Sequence, residues 1–130
     1  MRKLFDSIKS SFTIRPVTAT ATATGTGVDT QGYFDAVAVL EVGAVSGTTP
    51  TLNVKIQESD DNSSWADVSG ATFTQVSASN SSQVLRLSEL NVTRKRYLRA
   101  LGTIAGTTPS FAFGVQLLMG DSYGAAVNQD

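Results

Sequence analysis

At 130 residues the chain can build one hydrophobic core but has little room for a second. Its formal net charge of −1 argues against a broadly basic nucleic-acid-binding surface. The lack of both histidine and cysteine removes the commonest acid–base group, thiol catalysis, disulfides and Cys/His zinc sites.

Charge is unevenly spread. Arg2, Lys3, Lys9 and Arg15 stand against one acid, Asp6, in the first fifteen residues, while the remainder is mildly acidic. Leu4, Phe5, Ile8 and Phe12 recur at helical spacing among these basic residues, so residues 1–12 read as a short basic amphipathic arm. A helix this short is marginal alone, so it docks on a neighbouring subunit or packs on its own domain. Asp6, Ser7 and Lys9 interrupt any apolar leader, and no run approaches the ~20 apolar residues that span a bilayer. The expectation is a soluble protein, made in the cytoplasm, with no membrane partner.

Strand patterns follow. From Val17 to Thr24 small apolar and hydroxyl residues alternate, and Pro16 near the start predicts an edge strand. Tyr33 to Val42 is strongly apolar, and Thr51 to Glu58 alternates through Leu52, Val54 and Ile56. With turn-forming residues between them, these two runs read as an antiparallel hairpin. A polar turn at Ser59 to Ser64 precedes Trp65 and a short strand or bend ending at Gly70. Thr72 to Val76 and Val84 to Leu90 read as further strands. Arg96 to Thr103 and Ser110 to Met119 read as a second hairpin, followed by a small polar tail at 121–130. The fold class this implies is all-β: an antiparallel β-sandwich or jelly-roll of about eight strands over residues 13–120.

The two presumed hairpins echo each other. Gly43-Ala44-Val45-Ser46-Gly47-Thr48-Thr49-Pro50-Thr51 aligns without gaps on Gly102-Thr103-Ile104-Ala105-Gly106-Thr107-Thr108-Pro109-Ser110, and the register runs on to Gln57 and Gln116. The simplest reading is one turn problem solved twice, with Gly supplying unusual dihedrals and Pro starting the next strand. A functional reading would place both loops in one contact patch.

No nucleophile-elbow or phosphate-loop motif is present, and catalysis is not expected. Glu58, Asp60, Asp61, Asn62 and Asp67 offer hard oxygen ligands for calcium, but their spacing departs from an EF-hand loop, and a solvated turn is the preferred reading. No cofactor or metal is expected. Arg94, Lys95 and Arg96 form a basic cluster that reads as a solvated edge, or else as a contact for acidic groups on a partner subunit or for phosphates. The expected core comprises Phe34, Val37, Val39, Leu40, Leu52, Val54, Ile56, Trp65, Phe73, Leu85, Leu87, Leu98, Leu101, Phe111, Phe113, Val115 and Leu117.

The stretch Lys55-Ile56-Gln57-Glu58-Ser59-Asp60-Asp61-Asn62-Ser63-Ser64-Trp65-Ala66-Asp67-Val68, with Tyr97-Leu98-Arg99-Ala100 and the closing Gly-Thr-Thr-Pro-Ser segment, resembles small β-sandwich virion proteins of tailed bacteriophages. The resemblance covers roughly Gly32 to Gly120. It implies a head decoration, or cement, protein on the capsid surface, made in the bacterial host. The major capsid protein would be its partner, with self-association as a trimer and no direct nucleic-acid contact. A tail, fibre or head–tail connector component, with or without carbohydrate binding, is the alternative. Residues expected to touch a capsid or a neighbouring subunit are Arg2, Lys3, Leu4, Phe5, Ile8 and Phe12 of the arm, and Arg94, Lys95 and Arg96.

Overall fold

The computed structural model describes residues 9–87 and 94–122, the side chains of Phe34, Asp121 and Ser122 excepted. Most of the arm, the loop at 88–93 and the tail from residue 123 lie outside the described residues. The described residues form seven antiparallel strands: β1 Lys9–Ala19, β2 Ala23–Thr24, β3 Val28–Asp29, β4 Tyr33–Ser59, β5 Ala66–Thr72, β6 Ser81–Leu87 and β7 Tyr97–Ser122. No helix occurs among the described residues.

Two of these strands organise the rest. β4, of 27 residues, and β7, of 26, pair with each other along their whole lengths, from Tyr33↔Ser122 to Ser59↔Tyr97. The expected hairpins are therefore absent. Tyr33–Val42 does not turn back on Thr51–Glu58; both belong to β4, and each pairs with a different half of β7.

The long ribbon doubles over at its middle. Gly102 and Phe113 lie eleven positions apart on β7, which in a straight strand would separate them by ~36 Å. A Cβ built at Gly102 would nevertheless stand 3.1 Å from the Phe113 ring and 3.3 Å from Leu52. Folding the ribbon gives two facing layers, the sandwich expected from the alternation. One layer runs β6, β4 (33–46), β7 (110–122), β1. The other runs β3 and β2, β7 (97–105), β4 (51–59), β5. Their inner faces share one core, in which Leu40, Leu52, Ile56, Leu98, Phe111, Leu117 and Met119 are wholly buried. Side chains of this size contribute ~1.5–3 kcal/mol each when buried.

The internal echo is the fold point. Thr48 pairs with Thr107, and the pairs Leu52↔Ile104 and Thr51↔Ala105 on one side match Val45↔Phe111 and Ser46↔Ser110 on the other, shifted by the 59-residue offset of the echo. The two Gly-Thr-Thr-Pro segments thus cross about a local two-fold axis. Their backbones are twins: φ is +112° at Gly47 and +123° at Gly106, 47° at Thr49 and 45° at Thr108. Each glycine presses on the other segment, so that a Cβ on Gly47 would lie 2.7 Å from the Thr108 carbonyl and one on Gly106 2.8 Å from the Thr49 carbonyl. No other residue fits at that distance and with that dihedral.

β1 forms an edge, as Pro16 predicts, and register shifts fall on both sides of Ile14. At the first of them Thr13 ties the two layers together: its buried Oγ1 accepts a hydrogen bond from the Ala100 N–H (2.9 Å) and donates to the Thr26 carbonyl (2.9 Å). Lys9 to Phe12, read above as the end of a helical arm, belong to this strand and pair with Met119 to Gln116. Backbone pairing with β7 is available to them, and an isolated helical turn has nothing comparable to offset its nucleation cost.

The core differs from expectation by strand parity. On β4 the inward residues are Ala36, Ala38, Leu40 and Val42, which leaves Val37 and Val39 half-buried on the outer face. Trp65, Leu85 and Leu101 are also only half-buried. Ile14, Val28, Val68, Ala71, Val76, Ala100 and Met119 take core places that size and local pattern had not marked.

Candidate interaction surface

The outer face of the β6–β4–β7–β1 layer is unusually apolar for a solvent-facing sheet, where polar residues normally alternate with the buried ones. The register sets Val84, Val39, Gln116 and Phe12 in one row across the four strands, and Arg86, Val37, Leu118 and Ser10 in the next. Val84 is 67% exposed and Val17, on β1, 48%. Phe12, Pro16, Val17, Val39, Ala112 and Glu41 line a shallow groove of about 720 Å³ on this face. Exposed apolar surface of this kind marks places where proteins meet other proteins or ligands.

Of the six arm residues expected to touch a partner, Arg2, Lys3, Leu4, Phe5 and Ile8 lie outside the described residues. Phe12 lies within them, half-buried, in the wall of the groove. The Val84, Val39 and Val17 positions were missed. The signal that could have found them is the parity of β4: once Ala36, Ala38 and Leu40 face inward, the intervening valines must face out.

Lys95 and Arg96 of the basic cluster have partners inside the chain. Arg96 grips Asp29 through two bonds, Nε to Oδ1 at 2.9 Å and Nη2 to Oδ2 at 2.8 Å, and lies over the Tyr97 ring. This guanidinium holds the Asp29 carboxyl down at about 2 against the opposing effect of burial, helped by the Gln31 N–H, and Arg96 is itself pushed up by the bond to Asp29. Lys95 stands 3.6 Å from Asp60, and its N–H donates to Glu58 at 3.0 Å. Arg94 is half-buried. Arg96 acts as a clip between β3 and β7, which an open basic contact would not do.

The acidic turn is likewise self-contained. Asp61 Oδ1 accepts from the N–H groups of Ser63 and Ser64 and from Ser59 Oγ, each at 2.9 Å, and these bonds lower its pKa. Asp67 is lowered by donors on Gln57 and Lys55. Among the described residues, no three acidic side chains converge on a position that a metal ion could take.

Trp65 sits on the outer face of the other layer, not in the core. The Arg99 guanidinium stacks 4.4 Å from its ring centre, and Arg99 Nε donates to Gln57 Oε1 at 2.9 Å. Gln57 Nε2 in turn donates to Asp67, which also pairs with Lys55. The ring abuts Gly27 at its far edge. One face of the tryptophan is already covered, which leaves it poorly placed as a sugar-stacking platform.

No family model and no curated protein matches the chain. Solved structures with related folds include the PBSX exported protein XepA, with a TM-score of 0.58 and 17% identity over 94% of this chain and 40% of XepA. The SPBc2 prophage-derived protein YomS overlaps with a TM-score of 0.49 and 9% identity, over 86% of this chain and 93% of its own. The chain thus spans well under half the length of XepA, and the likeness is one of fold.

Proposed function

We propose that this chain is a structural protein of a bacteriophage particle: a decoration module that binds the outer surface of the capsid and holds neighbouring major capsid protein subunits together. The observation that carries this reading is the apolar outer face of the β6–β4–β7–β1 layer, where Phe12, Val17 and Val39 line an open groove at the strand from which the basic leading segment extends. Its support is twofold: the resemblance of the Lys55–Val68 stretch to phage virion proteins, and a fold shared with the PBSX exported protein XepA.

The physical work is adhesive. A capsid packed with DNA is strained at the joints between its subunits, and a rigid plug seated across a joint adds interface that must be broken before the subunits part. Specific interfaces bury ~1,200–2,000 Å². The groove face supplies part of that area, and the leading segment, with Leu4, Phe5 and Ile8 as anchors and Arg2 and Lys3 as its charged rim, supplies more. No step in this role needs an acid, a base or a nucleophile, in keeping with a chain that has neither histidine nor cysteine.

The test is to add purified protein to capsids that lack it. Saturable binding at symmetric lattice sites is expected, weakened when Val39 is changed to Asp and when residues 1–8 are removed. Labelling confined to the tail, or no binding at all, overturns the reading.

A further inference from the structure

The four sheet edges of the sandwich are not equally protected. β1 is broken by two register shifts and carries Pro16, which has no N–H to offer. β5 is interrupted by a shift between Lys55 and Gln57 on its partner, and includes Gly70 at φ +77°. The edge opposite β5 is made of β2 and β3, two residues each. β6 differs from all three. Its seven residues pair with β4 in unbroken register, Ala36↔Leu87 to Val42↔Ser81, with no bulge and no proline.

At the centre of this strand is Val84, the most exposed large hydrophobic side chain among the described residues at 67%. Among the described residues no strand pairs with the free side of β6, and the Gln83 side chain links it to the other layer, accepting from the Thr74 N–H (2.8 Å) and donating to its carbonyl (2.9 Å). A regular edge with an exposed valine at its centre, neither bulge nor proline, and its one charge, Arg86, paired with Asp35 is what another strand adds to.

We propose that a second copy of this chain pairs with β6, antiparallel, about a two-fold axis at Val84, joining two layers into one continuous eight-stranded sheet. The strand is self-complementary in that register. Val84 meets Val84 of the second copy, and Gln83 meets Leu85. Arg86, held by Asp35 of its own chain at 2.8 Å, falls opposite Ser82, whose hydroxyl donates to Glu41 at 2.8 Å. Each arginine therefore faces the side of the second copy that carries an acid, and no like charges stand opposed. A two-fold contact is isologous, so one patch serves both partners. This contact does not depend on the capsid reading and differs from the trimer that the phage resemblance implies.

The test uses the full chain. Sedimentation of the wild type should give a species of twice the 13.6 kDa chain mass. Val84→Lys, which sets two ammonium groups against each other on the axis, should raise the dimer Kd at least about tenfold with an unchanged circular dichroism spectrum. Val84→Cys, the sole thiol in the chain, should cross-link on mild oxidation, whereas Thr103→Cys on the far layer should not. A wild type that stays monomeric at about 100 μM, where any Kd of about 10 μM or tighter gives mostly dimer, overturns the proposal. So does a dimer or trimer that survives Val84→Lys.

Discussion

Replacing the glycines of the crossing point one at a time separates two costs that usually arrive together. At Gly47 an alanine meets both: a backbone at φ +112°, and a Cβ 2.7 Å from the Thr108 carbonyl and 2.8 Å from Pro109 Cα. Gly70, at φ +77° with nothing within 4 Å, isolates the dihedral cost. Gly43, with ordinary backbone and its nearest neighbour at 3.7 Å, has neither. An L-residue forced into left-handed backbone loses ~1–2 kcal/mol, whereas alanine for glycine in compatible backbone gains ~0.4–1 kcal/mol through the unfolded chain. The contacts at Gly47 are with backbone, which cannot swing aside, so the crowding should at least double the dihedral cost. Expected changes in unfolding free energy are thus a slight gain for Gly43→Ala, a loss of about 1 kcal/mol for Gly70→Ala and a loss of about 3 kcal/mol for Gly47→Ala. With a typical unfolding entropy for a chain of this length, the last is a fall in Tm of about 10 °C. Gly106→Ala should match Gly47→Ala, because the axis makes the two sites equivalent, and the double variant should cost less than the sum, because each Cβ displaces the same pair of segments. Urea titration with tryptophan fluorescence measures all five. If Gly47→Ala and Gly106→Ala fall within 0.5 kcal/mol of Gly43→Ala, the crossing is not close-packed and the reasoning fails.

Other outcomes follow from single contacts. Thr13→Val keeps the shape but strands the Ala100 N–H in the interior, so stability should fall by ~1–3 kcal/mol; a change below 0.5 kcal/mol would mean the amide has another partner. The Asp29 carboxyl, held at about 2 against 3.8 for the free group, contributes stability that is present above pH 3.8 and lost as pH falls through about 2. Half its surface is wet, so Asp29→Asn should cost about 1 kcal/mol or less at pH 6 and nothing below pH 2, and an NMR titration should put the carboxyl midpoint well below the usual range. Arg99→Ala uncovers the only tryptophan, which should shift its emission to longer wavelength at a cost of ~0.5–1 kcal/mol; unchanged emission would remove the stacking of Arg99 on Trp65.

Side-chain alternation made the fold class legible in the residues alone, and Pro16 marked the edge strand correctly. Pairing was not legible, for a physical reason. Alternation tells which face of a strand is buried, but Gly-Thr-Thr-Pro serves as well to kink a strand as to reverse it. What decided between kink and reversal was a second copy of the segment 59 residues away, against which the first could pair. Long-range partners also escaped the charge reading. Arg96 looked like an open cation because Asp29, which neutralises it, is 67 residues earlier. Trp65 looked like core because a large aromatic usually is, and nothing local announces Arg99. The apolar outer face was hidden by size: valine and phenylalanine suggest interior, and only the inward alanines of β4 show that they point outward.

The sharing of β4 and β7 between both layers also governs how the molecule can come into being. β1, β2 and β3 pair with β7, β5 and β6 with β4, and β4 with β7, so nothing ahead of β4 finds a strand partner until β7 has been synthesised. A nascent chain can therefore pair β5 and β6 with β4 as they emerge, while β1, β2 and β3 wait unpaired for the last long strand. High contact order of this kind places folding in the millisecond-to-second range, and both layers are completed only when β7 joins β4.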